Sequence, residues 1–166
     1  GNGVVDAADL TEYFLLQFGG RPGPGTLAET EFVFTPCGQS GRVGPSQAQC
    51  DGAYADTSLA GGVSITGGTQ HWAAPGAGTY IVEAFGAEGG SALTAGGLGA
   101  RVQGNILLGA GESVQILPGH APVAGNGGGG GTFVLFAEGA PALIAGGGGG
   151  GAGACCGAQV DGRPGL

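Results

Sequence analysis

The chain has no lysine, no methionine, a single tryptophan, and only four arginines and two histidines in 166 residues. Without lysine, and with a formal net charge of −8, it lacks the cationic surface that neutralises phosphate backbones, which excludes nucleic acid as a partner. The same deficit argues against an anionic membrane surface. No apolar run approaches the length of a spanning helix, so no direct membrane insertion is expected, and no leader peptide is read. A phosphate loop requires its lysine, no G-x-S-x-G elbow occurs, and His71 and His120 lie in no metal-ligand spacing with Cys or Asp. No Asn-x-Ser/Thr sequon is present either. These absences predict a protein that is not an enzyme and needs no organic cofactor. Lacking methionine and beginning at Gly1, the chain reads as a piece of a longer protein.

Glycine is what remains: 43 glycines and nine prolines make up nearly a third of the residues. Such a composition alone suggests low complexity, yet 42% of residues are apolar and cluster in strand-like runs between the glycines. The chain is organised around two tracts, Gly127, Gly128, Gly129, Gly130 and Gly131, then Gly146, Gly147, Gly148, Gly149, Gly150 and Gly151. Ordering each glycine costs about 0.5–1 kcal/mol more than ordering alanine, so over both tracts the penalty rivals a domain's net stability. Close backbone packing that no Cβ would permit is the offset expected. Glycine favours the polyproline-II conformation, which makes no internal hydrogen bonds, so buried tracts must pair with neighbouring segments.

Residues 1–22 are expected to form a helical unit, with Asp6 as N-cap, Asp9 in the capping-box position and Gly19 beyond the C-terminus. Leu10, Tyr13, Phe14 and Phe18 form its apolar stripe, which Leu15 and Leu16 widen. The start also resembles the second half of a dockerin-type or EF-hand loop, in which Asn2, Asp6 and Asp9 would be calcium ligands. The two leading acidic ligands would precede Gly1, and the other reading is simply a capped helix. Residues 23–30 read as a linker, and residues 31–166 as one glycine-rich β domain. Short strands are expected at 31–35, 62–66, 69–73, 78–85, 100–108, 112–117, 132–137 and 142–145, with no helical pattern after Phe18. Val102, Ile106 and Leu108 should share one face against Arg101, Gln103 and Asn105. Trp72 is assigned to the core or a sheet edge, with His71 beside it on the strand surface. The fold class is therefore mainly β, a sandwich or jelly roll with polyproline-II glycine helices and one short N-terminal helix.

Four cysteines suit an oxidising compartment and allow three pairings. Cys37 with Cys50 is favoured, closing a short loop; Cys155 and Cys156 are adjacent and are expected to pair with another segment or another chain, with free buried thiols as the alternative.

Three blocks from Phe32 onward carry a family resemblance: FTPCGQSGRVGPSQAQCDGAYA, QHWAAPGAGTYIVEAFGAEGG, and GESVQILPG followed by GGGGGTFVLF and ALIAGGGGGG. Their order over roughly 120 residues resembles the glycine-rich extracellular domain of the anaplastic lymphoma kinase and leukocyte tyrosine kinase receptors. The resemblance implies a sandwich similar to tumour-necrosis-factor folds joined to polyproline-II glycine helices, a Cys37–Cys50 disulfide and an extracellular or cell-surface location. A long insertion of those receptors between Gly119 and Gly125 is missing, and no ligand-contact residue is carried over. Two functions follow as expectations. The first is a structural module of an extracellular filament, surface layer or adhesin, forming a homo-oligomer or polymer through the apolar stripe of residues 10–18. The alternative is a ligand-binding ectodomain fragment of a cell-surface receptor.

Overall fold

The computed structural model describes residues 14–18, 30–123, 125 and 127–152. Among the described residues, nine strands form two antiparallel sheets. The first has the order β2 (Glu31–Phe34), β1 (Phe14–Phe18), β5 (Gly78–Phe85), β6 (Arg101–Leu108). The second has the order β3 (Val63–Thr66), β4 (Thr69–Ala73), β7 (Ser113–Leu117), β8 (Thr132–Phe136), β9 (Pro141–Ala145). Mainly β, sandwich-like and with one short helix among the described residues, α1 (Gln47–Tyr54), the chain has the expected class.

Alternation builds the core. Tyr80, Val82 and Ala84 of β5 and Ile106 and Leu108 of β6 are buried, and they meet Trp72, Val114, Ile116 and Val134 from the other sheet. The intervening residues of β6, Arg101, Gln103 and Asn105, are exposed. Each fully buried aliphatic or aromatic side chain contributes about 1.5–3 kcal/mol. The centre is aromatic: Trp72 lies 4.9 Å from Phe32 and 5.9 Å from both Phe34 and Tyr80, ring centroid to centroid, the last two edge-on. Trp72 is thus a core residue, and His71 occupies the half-buried outer position beside it.

Two expectations are corrected. Phe14–Phe18 is a strand, where a helix was expected. It runs between β2 and β5, with Leu16 opposite Phe32 on one side and Val82 on the other. A short run that is apolar nearly all round suits a buried strand as well as a buried helix, and here two waiting neighbours decide. Phe14 and Phe18 therefore belong to an interior strand of a sheet and not to a protruding helical stripe. The helix lies instead at Gln47–Tyr54, after Phe18. Ser46 is its N-cap, and Gln49 Oε1 accepts from the Ser46 amide (2.8 Å) and hydroxyl (2.9 Å). This is the S-x-x-Q pattern of a capping box. Gly52 and the scarcity of apolar residues mask the helix in the sequence, for only Cys50 and Tyr54, four apart, are buried.

Candidate functional site

At one pole of the sandwich the ends of β5, β7 and β9 and the starts of β6 and β8 meet glycine segments. β5 continues into residues 86–90, which return through 96–100 to β6; β7 continues through 118–123 and 127–131 to β8; β9 runs into 146–152. Their hydrogen bonds recur at every third residue. Gly86 and Gly89 donate to Ala100 and Gly97 carbonyls (both 2.9 Å), while Ala87 and Gly90 donate to Gly130 (2.9 Å) and Gly127 (2.7 Å). The carbonyls of Ala87 and Gly90 in turn accept from Gly148 and Gly151 (both 2.9 Å). Gly97 donates to Gly149 (2.7 Å), Ala100 to Gly146 (2.8 Å) and Gly129 to Gly148 (2.8 Å). Three residues per turn without internal bonds is the polyproline-II repeat, so each face of one segment serves a different neighbour. The registers make 86–90 and 146–151 parallel, with 96–100 and 127–131 antiparallel to both.

Space, more than conformation, demands glycine here. The glycines of these contacts keep ordinary φ values, but a Cβ on Gly86 would fall on the Gly146 carbonyl oxygen, on Gly89 on that of Gly149, and on Gly148 on that of Gly97, each well under 3.0 Å. Gly128 differs: its nearest neighbour would be the Gly148 oxygen at 3.5 Å, an ordinary contact. Thr132 ties the bundle to the sandwich. Its buried hydroxyl donates to the Phe85 carbonyl (2.5 Å) and accepts from the Gly119 amide (2.7 Å).

A disulfide joins Cys37 to Cys50 and fixes α1 to the loop after β2. Next to it, the Tyr54 hydroxyl accepts from the Thr35 amide (2.9 Å) and donates to Gln70 Oε1 (2.8 Å), while Gln70 Nε2 donates to the Thr35 carbonyl (2.6 Å). Burial pushes the Tyr54 phenol above its ordinary value, with the bonds to Thr35 and Gln70 opposing the shift. The expected cysteines Cys155 and Cys156, the calcium candidates Asn2, Asp6 and Asp9, and Leu10 and Tyr13 of the apolar stripe lie outside the described residues. Among the described residues, no group of three or more His, Cys, Asp or Glu is placed to hold a metal.

The loop after β2 also leans on the bundle. Gly41 N–H donates to the Ala121 carbonyl (2.9 Å), and His120 Nδ1 lies 3.2 Å from the Gly41 carbonyl. A carbonyl only accepts, so Nδ1 carries the proton and the ring is held. Between loop and bundle lies a groove of two lobes, about 350 and 360 Å³, which share Gly41, Arg42, His120 and Gly130. Leu117 and Phe133 wall one lobe; Pro122 and Val123 wall the other. Among the described residues, no carboxylate lines either. Arg42 is exposed and makes no ion pair among the described residues, whereas Arg101 pairs with Glu83 and lies over the Phe85 ring at 5.9 Å. Nothing in the sequence singles out Arg42, because its setting is created by a bundle that comes from residues some eighty positions away.

Over 62 residues, 36% of this chain, the sequence is 48% identical to the leukocyte tyrosine kinase receptor of Mus musculus. The match covers 7% of that receptor's length, so the chain corresponds to a small part of the relative. No family model matches the chain. The likeness to a receptor and the Cys37–Cys50 disulfide fit an extracellular or cell-surface location.

Proposed function

We propose that the chain is a non-enzymatic, ligand-binding module of a cell-surface receptor, in which the glycine bundle is a rigid support for the loops packed on it. The observation that carries this reading is the 48% identity to a receptor across more than a third of the chain. The bundle supports it physically. Its backbone bonds join four segments that would otherwise be linkers, and a surface held in one shape loses less entropy on binding. The other reading, a self-assembling filament, is weakened in one of its supports, since Phe14 and Phe18 lie in a strand paired on both edges where an exposed apolar helix was expected.

Sedimentation of the purified chain across a wide concentration range, with and without reductant, tests the choice. A receptor module remains a monomer throughout. Fibres or reversible polymers at accessible concentrations would contradict it and restore self-assembly as the function.

A further inference from the structure

We propose that the groove between the loop after β2 and the glycine bundle binds an acidic side chain of a partner protein, presented next to an apolar residue. The proposal deepens the receptor-module reading and rests on it in taking the groove as a binding face. Charge is the first argument. In a chain with net charge −8 and no lysine, Arg42 has no ion pair among the described residues, and no described Asp or Glu lines the groove around it. A guanidinium presents a rigid fork of N–H donors that matches a carboxylate in two parallel bonds. His120, held by its bond to Gly41, lines both lobes beside Arg42.

The walls supply the second argument. Phe133 is 38% exposed on one side of the cationic centre and Val123 76% exposed on the other. Apolar surface flanking a single charge suits an acidic residue between apolar neighbours. Each lobe, at about 350 Å³, is at the lower end of the size range of small-ligand pockets. A polyanion such as a nucleic acid or a sulfated polysaccharide is disfavoured, because it would meet the repulsion of a chain of net charge −8 while Arg42 is the one arginine that lines the groove among the described residues. The floor comes from Gly128, Gly129 and Gly130, whose lack of side chains lets an extended peptide approach the backbone.

The test is an NMR titration of the isotope-labelled chain with the peptide acetyl-Phe-Glu-Val-amide and its neutral counterpart acetyl-Phe-Gln-Val-amide. The acidic peptide is expected to shift the amides of Gly41, Arg42 and Gly128 to Gly130 saturably, and the neutral one to bind about tenfold more weakly. Arg42→Gln should weaken the acidic peptide by a similar factor. Arg101→Gln, which changes the net charge equally but lies away from the groove, should leave binding within about twofold. The absence of saturable shifts, equal binding of both peptides, or an equal loss from either arginine variant would overturn the proposal. Inorganic phosphate shifting the same amides as strongly as the acidic peptide would do so too, by making this a general anion site. None of these outcomes alters the sedimentation result, so failure of the groove and failure of the receptor-module reading are told apart.

Discussion

Gly89 and Gly128 sit in the same kind of sequence, yet a methyl group meets a different fate at each. At Gly89 it would collide with the carbonyl oxygen of Gly149, which is backbone and cannot rotate away. Gly89→Ala, or Gly148→Ala against the Gly97 carbonyl, is therefore expected to cost at least about 3 kcal/mol, because two bonded segments must separate. Gly128→Ala meets ordinary contact distances and restricts the unfolded chain, so its effect should lie within about 1 kcal/mol of zero. Urea midpoints of the three variants check this. Tyr54 gives a second prediction at the same scale. Tyr54→Phe leaves the Thr35 amide and Gln70 Oε1 without their partner, at a cost of about 1–3 kcal/mol. Because burial raises the Tyr54 pKa above 10.0, the folded chain keeps a proton that the unfolded chain releases. That contribution is whole below about pH 10 and is lost as pH rises through the raised value. Stability measured between neutral pH and pH 11 should fall less steeply in the phenylalanine variant than in the parent.

Among the elements, the eight strands from Glu31 onward were legible in the sequence as short apolar runs set off by turn residues, and β4, β5, β6 and β7 alternate between a sandwich interior and an outer face. β1 and α1 were not. Phe14–Phe18 carries no periodicity that separates a buried strand from a buried helix, and its identity comes from the edges of β2 and β5. Leu16→Pro removes a ladder donor between two partners and is expected to cost about 3 kcal/mol or more, where a helix at the surface of the domain would lose its own fold and leave the sandwich intact. Retention of the cooperative unfolding transition at its parent midpoint would contradict the strand. α1 is only eight residues long, and its signature, Ser46 with Gln49, lies inside a loop clamped at both ends by the disulfide. Replacing both Cys37 and Cys50 by serine should cost about 3 kcal/mol in the chain-entropy account, read as a lower thermal midpoint. The candidate site was the least legible part. Glycine tracts announce close packing, but which glycine touches which carbonyl depends on the three-residue registers between segments distant in sequence. The place of Arg42 in the groove and the holding of His120 by Gly41 depend on them as well.

For the whole molecule, the sandwich and the bundle are two solutions to one requirement, the pairing of every buried backbone group. The sheets meet it with ladders between side-chain-bearing strands. The bundle meets it with bonds at every third residue between segments that carry almost no side chains, at the pole where β5, β7 and β9 end. The central claim is that these glycines are bonded scaffold and not linker. Amide hydrogen exchange, read residue by residue by NMR, tests it most directly. Gly89, Gly90, Gly97, Gly129, Gly148 and Gly151 should exchange as slowly as the ladder amides of β5, their donors being engaged in the bonds described. Exchange of these six at the rate of an unstructured glycine chain, with the β5 amides still protected, would contradict the account.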